Sequence, residues 1–192
     1  MGRDTEEIRA ELARYSRLAY ARGLSSGVSG NLSARVPGTE TALIKKTGIC
    51  FAEADPADFI LVDLQGRPLE DGQPSKEVRF HCGIYRERPE IGGICHGHSA
   101  CATAYATARG DLPLVTAASQ GLLKEIGVVG VAPSGSEALA DMVVSVFRGS
   151  AVVACVLKTH GFVTAGADLS KAYYAADVLE DNAKVAWLMA AL

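Results

Sequence analysis

The sequence contains no Cys-x-x-Cys pair, and its five cysteines (Cys50, Cys82, Cys95, Cys101 and Cys155) are odd in number. Neither a disulfide framework nor a cysteine-built zinc site is indicated, and they read as reduced packing residues. Long apolar runs are missing: the stretches 151–157 and 186–192 fall far short of the roughly 20 residues that span a bilayer. No basic run is present, and 19 lysines and arginines against 22 acidic residues give a net charge of -3, which argues against nucleic acid as a partner. The first seven residues carry Arg3, Asp4, Glu6 and Glu7 instead of a signal peptide's apolar core, and Glu6 stands where a myristoylation site needs serine or threonine. A cytoplasmic protein without a membrane partner is therefore expected. Neither a Walker A loop nor Gly-x-Gly-x-x-Gly occurs, so a nucleotide is not the expected ligand.

What is present suits a packed core: 48 % of the residues are hydrophobic and 21 % are charged, both ordinary values for a folded domain. At 192 residues the chain is expected to form one domain, 1–192. Ile8, Leu12, Tyr15, Leu18 and Ala19 recur at helical spacing over 5–22, opened by acidic residues and closed by Gly23. A polar loop at 23–31 follows. Strands are expected at 32–36, 42–46, 59–64, 91–96, 127–132, 152–157 and 162–165, and further helices at 76–88, 100–108, 136–148 and 169–189. Strands grouped early and helices interleaved later imply one α/β domain around a single mixed sheet.

Only four histidines occur, and three of them, His96, His98 and His160, fall at the ends of expected strands. Residues two apart in an extended chain share a face, so His96 and His98 are able to aim two imidazoles at one ion, with Gly97 between them leaving the backbone free to turn. His160 completes a triad if the two strand ends adjoin in the sheet. Three histidines with an open position form a catalytic zinc arrangement rather than a structural one. The competing reading makes them ordinary polar residues at strand ends. His81, four residues after Glu77, shares its helical face and reads as a packing residue or a support for the site. Glu77 stands where a carboxylate often merely complements a helix dipole; as a base it would need burial beside the metal.

Three small polar clusters, 27–31, Thr47-Gly48 and Ser75-Lys76, lie at element junctions. Each offers free backbone N–H groups, and Ser75 is expected at a helix N-terminus, which favours negative charge. Together they suit a phosphate; singly, each is equally a turn.

The ordered motifs Gly27-Val28-Ser29-Gly30-Asn31-Leu32-Ser33, Leu43-Ile44-Lys45-Lys46-Thr47-Gly48, Pro74-Ser75-Lys76-Glu77 with His81, His96-Gly97-His98 and His160-Gly161 span almost the whole chain. In this they resemble the class II aldolase/adducin family, which includes L-fuculose-phosphate and rhamnulose-phosphate aldolases. The resemblance implies a three-layer α+β fold, a central mixed and mainly antiparallel sheet flanked by helices, and a homotetramer. It implies that His96, His98 and His160 bind a divalent metal, zinc foremost and manganese or cobalt as alternatives, and that Glu77 is the acid/base. Gly30, Asn31, Thr47, Gly48, Ser75 and Lys76 would then hold the substrate phosphate. The implied reaction is retro-aldol cleavage of a phosphorylated ketose, through an enediolate, to dihydroxyacetone phosphate and an aldehyde.

Two departures widen the implied chemistry. Fuculose-phosphate aldolases carry a tyrosine where this chain has Ala117, and a tyrosine-bearing tail that this sequence, ending at Leu192, does not show. Lys76 stands where many family aldolases have a second serine. The Pro-Ser-Lys-Glu form resembles the branch that decarboxylates 3-oxo-tetronate 4-phosphates, a reaction with no departing aldehyde to protonate. Pentulose-phosphate epimerisation, dehydration of a methylthio-sugar phosphate and a non-catalytic adducin-like module stand further back.

Overall fold

A computed structural model describes residues 4–192. The N-terminal reading above rests in part on residues 1–3, which lie outside the described residues. Helix α1 (Thr5–Ala21) opens at Asp4, whose side chain accepts from the Glu6 amide, and buries Ile8, Leu12, Tyr15 and Ala19 as its spacing requires. Strands β1 (Asn31–Arg35), β2 (Thr41–Lys45) and β3 (Phe59–Asp63) follow as an antiparallel meander. Then come α2 (Val78–Glu87), β4 (Gly93–Gly97), α3 (Ala100–Arg109), α4 (Ala117–Leu122), β5 (Gly127–Val129), α5 (Glu137–Phe147), β6 (Ala154–Leu157), β7 (Gly161–Gly166) and α6 (Leu169–Ala190). All seven strands form one sheet in the order β3-β2-β1-β4-β7-β6-β5, antiparallel except for the parallel pair β5 and β6.

The sheet is buried on both faces because its strands alternate two apolar sets. Leu43, Cys95, Ala154, Val156 and Phe162 face one layer, with α1, α3 and α6. Ile44, Ile94, Cys155, Leu157 and Val163 face the opposite layer, with α2 and α5. This is the expected three-layer fold. Burial pushes the thiols of Cys82, Cys95 and Cys155 up to about 12, and all five cysteines are free, consistent with packing residues. Among the described residues, no helix is long and apolar enough to cross a membrane.

Three local expectations shift. The strand expected over 127–132 stops at Val129, because the following residues leave the edge of the sheet toward Pro133. Helix α4 was not anticipated; it is a single short element begun by a Thr116 and Ser119 capping box. The helix expected from 76 begins at Val78, with Glu77 at its cap position.

Gly97 is needed for a reason other than the one expected. It lies inside β4, paired with Phe162 of β7, and a Cβ there would come within 2.4 Å of the Leu24 carbonyl and 2.6 Å of the Phe162 ring. It permits close packing beneath two histidines and makes no turn. Gly97→Ala is expected to lower unfolding stability by about 1–3 kcal/mol through overpacking. Gly121→Ala, in α4 with nothing within 4 Å of the added carbon, is expected to raise it by about 0.5–1 kcal/mol. Urea unfolding of the two variants checks both signs.

Candidate metal centre and anion cavity

Antiparallel pairing of β4 with β7 sets His96 opposite Val163 and Gly97 opposite Phe162, so the end of β4 meets the start of β7. The strand ends expected to adjoin do adjoin. His98 leaves β4 with its amide bonded to the Leu24 carbonyl, and His160 closes the β6–β7 hairpin with its amide on the Leu157 carbonyl. One ligand-type atom from each of the three imidazoles lies within 4.8 Å of the others, and the ring centroids are 4.8–5.0 Å apart.

The hydrogen bonds orient these rings. The Phe162 carbonyl only accepts, so His96 Nδ1 carries the proton it donates across 2.7 Å, and Nε2 faces the cluster. That Nε2 lies 3.1 Å from His98 Nε2 and 3.0 Å from Glu77 Oε2. His160 Nε2 lies 3.1 Å from Glu77 Oε1, while its Nδ1 is buried with no hydrogen-bond partner. Burial, with the charges of His96 and His160, pulls His98 down to about 3, so it presents a neutral imidazole. The donor set of three imidazoles fits a divalent cation.

Glu77 does not serve the helix dipole. It occupies the α2 cap position without capping it, and only 3 % of it is exposed. Its carboxylate instead receives Ser134 Oγ at 2.6 Å and Asn31 Nδ2 at 2.9 Å, besides facing His96 and His160. Burial pushes its pKa up, but the charge of His96 and the hydrogen bonds from His160, His96 and Ser134 outweigh burial and hold the carboxyl well below the usual range. Glu77 is thus buried beside the histidine cluster.

Glu77 and His98 form one end of a cavity of about 360 Å³, whose walls include Gly30, Asn31, Thr47, Gly48, Ser75 and Lys76. The three polar clusters, far apart in sequence, thus meet. Gly30 has φ +76°, and a Cβ would fall 2.9 Å from the His96 carbonyl, so only glycine lets this loop cross beneath the histidine. The Asn31 side chain is turned to Glu77 and His81, and Thr47 Oγ1 donates to the Pro74 carbonyl. Ala117, where the family tyrosine would stand, is an exposed residue of α4 and lines no part of the cavity.

Three polar cavity residues, Ser134, Lys45 and Lys46, carry no role in the sequence reading. Ser134 belongs to a Pro-Ser-Gly turn, and nothing local separates it from any other turn serine. Lys45 is 2 % exposed, donates to the Ile49 carbonyl and sits over the Phe51 ring; a lysine ending an apolar strand was the available signal.

The family profile described as Class II Aldolase and Adducin N-terminal domain matches residues 10–187. The chain belongs to that family. It is 32 % identical over 93 % of its length to L-fuculose phosphate aldolase of Methanococcus maripaludis, covering 96 % of that protein. It is 31 % identical to 3-oxo-tetronate 4-phosphate decarboxylase of Pectobacterium atrosepticum, over 96 % of this chain and 85 % of that one. Among solved structures, YgbL of Klebsiella pneumoniae superimposes with TM-score 0.90 at 27 % identity, covering 98 % of this chain and 92 % of that one. The expected enzyme class, a carbon–carbon lyase of a divalent-metal-dependent family, is borne out.

Burial pulls the Lys45 amine from its ordinary 10.5 down to about 8, against the raising effect of Cys50, Asp58 and Glu77. The folded state therefore sheds this proton before the unfolded state does, and stability rises with pH between about 8 and about 10.5. Relative to Lys45→Met, the wild type should gain stability across that interval and hold a constant difference below it, as urea unfolding at stepped pH would show.

Proposed function

We propose that residues 1–192 form one aldolase-type lyase domain, and that it cleaves a small phosphorylated ketose by retro-aldol chemistry to dihydroxyacetone phosphate and an aldehyde. The observation that carries this reading is the meeting of Glu77 with three histidines, two members of which group, Glu77 and His98, line a cavity together with anion-suited loops. His96, His98 and His160 would hold the divalent ion, zinc foremost with manganese or cobalt as alternatives. When bound, the ion draws electron density from the carbonyl and hydroxyl oxygens of a ketose and offsets the negative charge that develops as the carbon–carbon bond breaks.

The protein's own groups supply the rest. Backbone amides at Gly30 and Gly48, with the Ser75 and Thr47 hydroxyls and the Lys76 ammonium, hold the phosphate and so fix which carbon faces Glu77, while the Asn31 side chain stays on Glu77 and His81. Glu77, kept ionised by its partners, moves the proton at the carbon beside the carbonyl. Its hydrogen bonds to Asn31 and Ser134 set the carboxylate plane before substrate arrives. A homotetramer goes with this reading, and it is supported by exposed Trp187, Leu188 and Met189 near the end of α6 (51 %, 64 % and 58 % exposed). A cytoplasmic location follows from the metabolic character of the reaction.

A second reading, decarboxylation of a 3-oxo-tetronate 4-phosphate-type substrate, draws on the cations. Lys45, Lys46 and Lys76 all line the cavity, a density of positive charge suited to a substrate that carries a carboxylate as well as a phosphate. Ala117 favours it too, since decarboxylation has no departing aldehyde to protonate.

Proton NMR in D2O separates the two. With metal-loaded protein and dihydroxyacetone phosphate, stereospecific loss of one hydroxymethyl proton is expected. Glu77→Gln should slow it at least about 100-fold, on the scale of general-base loss, and chelation should abolish it. Bound metal without exchange would reject the ketose-phosphate reading, and carbon dioxide release from 3-oxo-tetronate phosphates would then establish the second.

A further inference from the structure

Behind Glu77 runs a chain of buried polar groups that the proposed reaction does not use directly. Asn31 Nδ2 donates to Glu77 at 2.9 Å, and Asn31 Oδ1 meets His81 Nε2 at 2.5 Å. On the far side of the ring, His81 Nδ1 meets Ser33 Oγ at 2.6 Å, and Ser33 Oγ meets the Tyr85 hydroxyl at 2.8 Å. Asn31, Ser33, His81 and Tyr85 are each at most 3 % exposed, so water does not complete any of these contacts from the surface. They come from β1 and α2, the two elements that flank Glu77.

The direction of every bond in this chain follows from its first member. An ionised carboxylate only accepts, so the Asn31 amide must present Nδ2 to Glu77 and leave Oδ1 facing His81. Oδ1 also only accepts, so the His81 proton is on Nε2 and Nδ1 is bare. A bare Nδ1 takes the Ser33 hydroxyl proton, and Ser33 in turn accepts from Tyr85. We propose that His81 is a positioning residue: held as its Nε2–H tautomer by Ser33 and Tyr85, it locks the Asn31 amide in the one orientation that donates to Glu77. This rests on the reading of Glu77 as the acid/base.

The alternative orientation shows what the lock prevents. A flipped Asn31 amide sets its oxygen against the Glu77 carboxylate and turns an acceptor pair into the floor of the site, swinging the carboxylate out of line with its substrate carbon. The histidine residue type suits the task because one ring nitrogen donates while the other accepts. Phe80 stacks on the ring at 4.8 Å between centroids and 19° between planes, which restrains it further.

Two sets of measurements test this on the metal-loaded full chain. Nitrogen-15 NMR near neutral pH should show His81 with a proton on Nε2 and none on Nδ1, and a slowly exchanging Asn31 side-chain amide. His81→Leu should lose that Asn31 signature and cut the turnover of dihydroxyacetone phosphate proton exchange by about 10–100-fold with KM within about twofold. His81→Gln, whose amide nitrogen reaches the Nε2 position, should restore both to within about threefold of the wild type. An Nδ1–H tautomer overturns the proposal, as do equal rates for the Leu and Gln variants. If the Leu variant does not fold, the wild-type tautomer and the Gln variant's Asn31 signal decide. Failure of the Glu77 reading looks different: Glu77→Gln would then exchange like the wild type while the His81 tautomer stayed as assigned.

Discussion

One buried negative charge, that of Glu77, organises the site. Placing a lone carboxylate out of water costs several kcal/mol, so Glu77 is tolerable only with its partners in place. Those partners come from β1 (Asn31), β4 (His96), the β6–β7 hairpin (His160) and the turn before α5 (Ser134). Each depends in turn on backbone placed elsewhere: His96 on the Phe162 carbonyl, Asn31 on His81. The sheet order and the β4–β7 register are therefore conditions on the charge, and the charge gives the site its chemistry.

The same arrangement divides the site in two. On one side, three oriented imidazoles gather around a carboxylate as a donor set that fits a cation. On the other, loops at three element junctions and the side chains of Lys45, Lys46 and Lys76 line one cavity. A substrate with an oxygen-rich reacting end and an anionic tail matches both halves. Aldol cleavage and decarboxylation share this frame, and the choice between them turns on the groups near the departing fragment, with Lys76 in the cavity wall and Ala117 outside it.

Much of the fold was legible because periodicity reports burial directly. The α1 stripe and the long closing helix α6 appear in the sequence almost to their ends, and six of the seven strands fall within about two residues of where alternation places them, the usual uncertainty of element boundaries. The misses are local. Helix α4 depends on a capping box that makes no apolar stripe, and β5 ends early because an edge strand is held on one side only. In the site, His96, His98 and His160 stood out because strand ends and two-residue spacing have geometric meaning. Ser134 did not, since a turn serine looks the same whether it bonds solvent or a buried carboxylate.

The sequence by itself determined the element types, the two apolar faces of the sheet and the residue chemistry on hand: three strand-end histidines, a glutamate at the start of a helix and several glycine-rich junctions. It did so because these depend on spacings of two to four residues. Only the tertiary structure decided that Glu77 turns away from its helix into the histidines, that Gly97 serves packing and not a turn, and that Asn31 faces a carboxylate. Those outcomes hang on the antiparallel register of strands some 65 residues apart, such as His96 opposite Val163, and on which acceptor lies nearest a given donor. No local pattern encodes a distance across the sheet.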